Sequence, residues 1–443
     1  MVLSPAAAYC IDVLQAVGYR AYAVGGCVRD SLLGLTPSDY DLCTNATPEQ
    51  ICQVFARQQL LHNGEKHGTV GVVLDGEVLE ITTFRTEGGY ADSRHPGWVA
   101  FVNNIEEDLA RRDFTVNAMA YHPGEGYVDP FGGQTDLAAG VLRAVGDPLQ
   151  RFSEDALRIL RGLRFASRFH LRIEPATKAA MEELSPLLDK IARERVLEEL
   201  CKLLLTVTAT ELLDYVPILT QVIPELAPMV GFQQHSPHHR YDVFTHTAYV
   251  VEAVPPELAL RWAALLHDLG KPASFTMDET GRGHFKGHAK VSRELADSIL
   301  LRLKAPTALR QQVTELIGQH MTKLEPEKKL LRRRLGKLGG DLLEKLLCLQ
   351  EADMGSKGTG KKEEMEQFAQ LRGVLDEIRE ENSCLRLQDL AVDGKALQQA
   401  GFPSGPKMGR CLNALLELVL DEQLPNETEP LLDAAKTIWE ELS

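Results

Sequence analysis

Two hydrophobic rhythms divide this chain. Up to about residue 140, short β-branched runs alternate with polar punctuation. Tyr19–Val24 ends at Gly25-Gly26, and Val70–Leu74 and Val78–Phe84 flank Asp75-Gly76. Such runs predict strands, and the Asp-Gly pair predicts a hairpin between the last two. Val28–Leu33 predicts a helix onset, while Thr86–Val99, with three glycines and a proline, has loop composition. After Gly146-Asp147-Pro148 the apolar positions recur with helical spacing to the end. Breaks are expected at Gly231–Tyr241, Gly355–Lys362 and Gly401–Gly409. The pattern predicts an α/β head followed by a long helical body.

Composition narrows the class. Of 443 residues, 44% are hydrophobic and 25% charged, which excludes a disordered chain. At roughly 100–200 residues per domain, several domains are expected. The apolar run Leu212–Val230 is broken by Asp214, Glu225 and three prolines, so it does not read as a bilayer span. The start of the chain lacks a basic region and carries Asp12, which points to a cytoplasmic protein. The net charge of −15 excludes a general nucleic-acid coat and confines any RNA contact to local basic patches. Eight cysteines without a CxxC pair exclude a zinc ribbon and fit reduced thiols.

Three features carry candidate chemistry in the first half. Gly25-Gly26-Cys27-Val28-Arg29-Asp30 follows a strand and opens a helix, where glycines let backbone N–H groups approach a phosphate and Arg29 clamps the same anion. The alternative is an ordinary turn. In Pro37-Ser38-Asp39-Tyr40-Asp41-Leu42, strand geometry puts Asp39 and Asp41 on one face. Paired carboxylates repel unless a cation lies between them, and hard oxygen ligands suit Mg²⁺. Asp155, Arg158, Arg161 and Arg164 recur every three residues, forming a polar stripe on one helical face.

Together these segments resemble a known family. Gly25 to Asp41 resembles the head motif of polymerase-β-like nucleotidyltransferases, and more narrowly that of bacterial class II tRNA nucleotidyltransferases and poly(A) polymerases. Glu107–Ala118 is similar to the family's RRD ribose-contact motif, Asp129–Leu137 to its head–neck junction, and Glu154–Arg164 to its EDxxR nucleobase-selecting helix. The resemblance implies an α+β fold: a polymerase-β-like head of mixed sheet and helices, then an all-α neck, HD body and tail. It implies a head over 1–140, a neck over 141–230, an HD domain over 231–360 and a tRNA-contacting tail over 361–443. The implied activity is template-independent addition of CCA to tRNA 3′ ends from CTP and ATP, with pyrophosphate leaving. Asp39 and Asp41 would hold catalytic Mg²⁺. Gly25, Gly26, Arg29, Arg112 and Asp113 would hold the nucleotide's sugar and phosphates. Asp155, Arg158, Arg161 and Arg164 would read its base. Glu80 is either a third carboxylate or an exposed strand acid.

A second constellation lies in the body. His267-Asp268 ends an apolar helix, and a buried His-Asp pair needs compensation that a divalent metal supplies. In order, His246, His267-Asp268 and Asp353 resemble the HD phosphohydrolase superfamily, with His288 and His320 where two-metal members carry further ligands. The resemblance implies a divalent transition metal there and hydrolysis of phosphates on RNA ends. His235, His238, His239 and His284 read as loop histidines.

The basic cluster Lys323, Lys328-Lys329, Arg332-Arg333-Arg334 and Lys337 reads either as a track for a phosphate backbone or as a solvated helix. Asp389–Lys395 and Gly405–Arg410 look like the family's tail. The alternatives to CCA addition are a poly(A) polymerase or A-adding enzyme, a metal-dependent phosphohydrolase with a nucleotide-binding head, and a silent RNA-binding protein. The full-length segment Thr86–Val102 argues against a CC-only enzyme, because the family links that loop to switching from C to A.

Overall fold

The computed structural model describes every residue except 63, 65–67, 89–97, 237–238, 359–361, 382–383 and 443, so His238 lies outside the described residues. The chain forms two compact units, Met1–Ala227 with Arg302–Ala305, and Pro228–Leu301 with Pro306–Ser443. No boundary between them falls at residue 140 or 360.

The first unit begins with a mixed sheet. Its strands are β1 (Ala21–Val24), β2 (Asp41–Thr44), β3 (Gln59–Leu61), β4 (Thr69–Leu74) and β5 (Glu77–Thr83), followed after a separate pair, β6 (Arg85–Gly88) and β7 (Trp98–Phe101), by β8 (Ala120–His122) and β9 (Gly126–Val128). The seven-stranded sheet runs β3-β4-β5-β2-β1-β8-β9, with β2 parallel to β5 and the other neighbours antiparallel. Both faces are covered. Ala21, Ala23 and Leu42 pack with Ile11 and Leu14 of the first helix, whereas Tyr22, Val24 and Cys43 pack with Phe84, Ile105 and Leu109. That alternation is the pleat of a strand buried on two sides. The Asp75-Gly76 hairpin forms as expected, with both residues at positive φ (50° and 82°).

One loop expectation needs correction. The ends of Thr86–Val99 are not irregular: β6 and β7 pair antiparallel, with Thr86 opposite Ala100. The segment Trp98–Phe101 carries aromatic and β-branched side chains that favour pleated pairing, a signal the flanking glycines masked.

The rest of this unit is helical apart from a short parallel pair, Val141–Leu142 with Arg172–Ile173. Gly162 of the helix Leu157–Phe169 lies against Met181 of Pro175–Leu184, and a Cβ there would collide with Met181 Cε. The second unit is almost entirely helical. Val243–Ala253, Leu258–Leu266, Thr307–Gln319 and Gly340–Gly355 surround the fully buried Trp262 and Phe244. A separate apolar cluster holds the end of the chain through Leu397, Cys411, Leu415 and Leu431. Among the described residues no helix is long and apolar enough to cross a membrane.

Candidate functional site

In the first unit, one polar groove of about 450 Å³ gathers residues that are far apart in sequence. Gly25, Gly26, Arg29, Asp39, Asp41, Arg112, Asp113, Asp155, Arg158, Arg161 and Arg164 all line it. Gly25 sits at φ +71°, and a Cβ there would meet Arg112 Nη1 at 2.7 Å, so glycine is needed for conformation and for space.

Asp41 opens β2, while Asp39 lies two residues before the strand rather than on it. Asp41's register partner on β5 is Glu80. Although Asp41 is open to solvent at the strand end, the groove walls desolvate its carboxyl and push its pKa up. Arg112 opposes that rise, and Asp39 and Glu80 add to it. Three carboxylates therefore interact electrostatically at one end of the groove.

The arginines are already engaged. Arg29 is 5% exposed, donates from Nε and Nη2 to Asp30 Oδ1 (2.9 and 2.7 Å), bonds Asn117 and lies 4.2 Å above the Phe169 ring. It is a braced wall of the groove rather than the free clamp expected from the motif, and burial lowers its pKa. Arg158 donates to Glu154 (2.9 Å) and to the Arg151 and Arg111 carbonyls (3.0 and 3.1 Å). Arg161 pairs with Asp113 at 2.7 Å and Arg164 with Glu199 at 2.6 Å. Asp155 precedes the helix instead of riding on it, accepts from the Leu157 amide (3.0 Å) and faces Arg195 at 3.7 Å. Burial alone would raise the Asp113 pKa, but Arg161 and Asn117 outweigh it and bring it to about 2. Each guanidinium has five N–H donors, so donors remain for a bound base or phosphate.

The sequence reading missed Arg111, Asn117, Phe165, Arg168 and Arg195 as groove residues. Arg111 and Asn117 stand inside the motif Glu107–Ala118 and were findable there. Arg195 comes from a helix 40 residues past Asp155, and no local pattern marks it.

In the second unit, His246, His267, Asp268, His288, His320 and Asp353 converge on one buried centre. His246, His267 and Asp268 form one set of potential ligands, and Asp268, His288 and His320 another. His267 Nδ1 lies 2.8 Å from the Ala264 carbonyl, His288 Nδ1 2.8 Å from Phe285 O, and His320 Nδ1 2.6 Å from Ile317 O. A carbonyl accepts only, so each Nδ1 carries a proton and each Nε2 turns inward; at His288 and His320, whose pKa burial lowers, that Nε2 bears a lone pair. His288 Nε2 and His320 Nε2 face each other at 3.1 Å. Burial lowers the pKa of both, to about 4 at His320, so an extra proton between them is disfavoured. His246 Nε2 is 2.9 Å from Asp353 Oδ1, and His267 Nε2, 3.2 Å from Asp268 Oδ2, makes no hydrogen bond at that angle. Burial works against a charged Asp268, but His267 and Lys271, the latter 2.7 Å away, hold its pKa well below the usual range.

Lys271 was missed as part of this cluster. His239 was read as a loop residue; it lies in a loop, but its ring is 5.5 Å from His246 and its Nδ1 is buried with no hydrogen-bond partner among the described residues. His235 is exposed, and His284 bonds Asp278 at 2.7 Å.

Comparison with known proteins adds the family. Residues 21–143 match the poly A polymerase head domain, 170–230 the "Probable RNA and SrmB-binding site of polymerase A", and 284–435 tRNA nucleotidyltransferase domain 2. The CCA-adding enzyme of Latilactobacillus sakei is 33% identical, covering 96% of both chains, and that of Levilactobacillus brevis is 34% identical over 96% of both. The Bacillus stearothermophilus CCA-adding enzyme, solved in complex with CTP, is 28% identical with a TM-score of 0.70 over 98% of each chain. The Thermotoga maritima CCA-adding enzyme, solved with tRNA, shares the fold at 20% identity and a TM-score of 0.60. With one groove joining the family's motifs and relatives alike over nearly the whole length, this chain belongs to the family of CCA-adding enzymes.

Proposed function

We propose that the chain adds C, C and A in turn to the 3′ end of tRNA from CTP and ATP, releasing pyrophosphate, and that it does so in the cytoplasm, where tRNA is processed. The observation that carries this reading is the single groove holding the Asp39–Asp41 pair at one end and Asp155 with three arginines along its wall. Asp39 and Asp41 would hold Mg²⁺, and the upward push on Asp41, from desolvation first and then from Asp39 and Glu80, fits a cation beside it. When bound, the ion supplies charge stabilisation at the α-phosphate. The protein's own groups orient the reaction. Arg112 and Asp113 hold sugar and phosphates, and Asp155 with Arg158 offers an acceptor and donors to the base edge. Glu80, Asp41's register partner on the neighbouring strand, is the carboxylate we assign to receive the attacking hydroxyl's proton. Because the arginines are fixed by Glu154, Asp113 and Glu199, the base reader is preorganised without a template. Incubation with a tRNA lacking its 3′ end and labelled CTP and ATP, separately and together, tests this. Addition of CCA supports it, whereas a long A tract from ATP alone would mean a poly(A) polymerase.

A second activity is favoured by the inward Nε2 atoms. His246, His267, Asp268 and Asp353, with His288 and His320, would bind a divalent transition metal, since nitrogen-rich donors suit Mn²⁺, Co²⁺ or Ni²⁺. The facing lone pairs of His288 and His320 fit a shared cation. We assign this HD-type cluster a phosphohydrolase role on RNA-end phosphates. Hydrolysis of 2′,3′-cyclic AMP with each metal, against His267→Ala, is the test. Absence of turnover with every metal would leave the cluster structural.

A further inference from the structure

The basic segment 323–337 is sorted by the second unit into engaged and open cations. On the helix Lys328–Leu338, Lys328 and Arg332 are one turn apart and share Glu381 (2.5 and 2.6 Å). Lys329 and Arg333, on the adjacent stripe, share Asp421 (2.9 Å each). Glu377, Glu417 and Glu422 add further contacts to these four. Such pairs tie the helix to the end of the chain and neutralise its charge on those faces.

The third stripe differs. Leu330, Arg334 and Lys337 stand at i, i+4 and i+7, so they share a face. Neither Arg334 nor Lys337 has an ion-pair partner among the described residues. They border a shallow groove of about 270 Å³ with Lys323, over a floor of Leu324 and Leu331. Among the described residues Lys323 pairs only with Glu325, in a contact whose side chains are 77% and 47% exposed and which competes weakly with a phosphate. In a chain of net charge −15, two cations without an ion pair and a third in an exposed one, over an apolar floor, are a local exception to the field around them.

We propose that the stripe Leu330–Arg334–Lys337, with Lys323, is a contact surface for the phosphate backbone of the tRNA substrate. It rests on the reading of this chain as a tRNA-extending enzyme. The charge spacing suits a polyanion: long, mobile side chains on one helical face follow successive phosphates without reading sequence. The contact would supply affinity and position and no base discrimination. An acidic protein segment is the competing occupant.

The test measures tRNA binding by fluorescence anisotropy from 50 to 200 mM salt, independently of nucleotide addition. Variants are Arg334→Gln/Lys337→Gln and Arg334→Lys/Lys337→Arg. Removing two phosphate contacts should weaken binding about tenfold and make the log Kd–log salt slope shallower by about two. The charge-conserving variant should keep both, and CTP incorporation at saturating tRNA should stay within about twofold of wild type in all. Lys337 is exposed and Arg334 half-buried, neither in an ion pair among the described residues, so thermal unfolding should shift little. Unchanged Kd and slope in the glutamine variant overturn the proposal, and so would an acidic partner as the only ligand lost. Wild type that binds tRNA with the expected slopes but extends it with neither CTP nor ATP would sink the functional reading and leave the surface standing.

Discussion

Arg161 Nη2 lies 2.7 Å from Asp113 Oδ2, so the helix Leu157–Phe169 is tied to the motif that lies just before the 3₁₀ turn Thr115–Asn117. That bond sets the position of the whole arginine stripe against the sheet that carries Asp41. It also leaves a titration signature.

Asp113 has a folded pKa of about 2, below the ordinary carboxyl value near 3.9. A depressed acid contributes stability that is present above the unfolded pKa and lost as pH falls through the folded one. The unfolding free energy should therefore drop by about 2 kcal/mol between pH 4 and pH 2 on account of this group. In Asp113→Asn that share of the pH dependence should vanish, and stability at pH 7 should fall by about 2 kcal/mol because Arg161 loses its partner. Urea unfolding of both proteins across that range checks the sign; an identical slope in the variant refutes it.

Asp39→Ala or Asp41→Ala should abolish addition of both C and A, by more than about a thousandfold in kcat, because every round uses the same cation site. Both side chains are open to solvent, so the melting temperature should hold or, at Asp41, rise slightly as repulsion with Glu80 and Asp39 is relieved. Wild-type transfer in either variant would remove these residues from the mechanism. Glu80→Gln should slow transfer less than either.

Asp155→Ala should relax the choice of nucleotide more than it slows transfer. Loss of a bidentate base contact costs about 1–3 kcal/mol of discrimination, so UTP and GTP incorporation should rise about tenfold or more relative to CTP. Arg158→Ala should do the same and also lower stability, since it takes donors away from Glu154 and two carbonyls. Competition assays with all four nucleotides read this, and unchanged rejection of UTP and GTP would show that the base is read elsewhere.

Treatment with a chelator, then titration with Mn²⁺, Co²⁺ or Ni²⁺, should raise thermal stability by about 2.7 kcal/mol at a metal concentration a hundred times Kd. His288→Ala/His320→Ala should reduce that gain while CCA addition with Mg²⁺ stays near wild type. Asp268→Ala should remove any phosphodiesterase activity and likewise spare CCA addition. Loss of CCA addition in a folded Asp268→Ala protein would mean that the two sites are coupled.

Sequence alone determined the chemistry available and its local order. The Asp75-Gly76 turn and the arginines spaced by three are decided by neighbours a few residues away, and local steric rules are legible in a string. Family motifs then named the activity, because spacing within a motif survives where distant residues drift. Which side chains are braced, which are open and which meet was decided only by tertiary structure. Glu80 became Asp41's neighbour through parallel pairing of β2 with β5, a register no local pattern fixes. His246 and Asp353 are 107 residues apart and reach 2.9 Å only because helices Val243–Ala253 and Gly340–Gly355 pack together. Arg29 looked like a clamp until Asp30, Asn117 and Phe169 closed around it, and seven similar cations at 323–337 separated into four tied to distant acids, one in an exposed local pair and two open. The reason is common to all four: a charge takes its role from the charges and apolar atoms brought against it, and long-range packing chooses those.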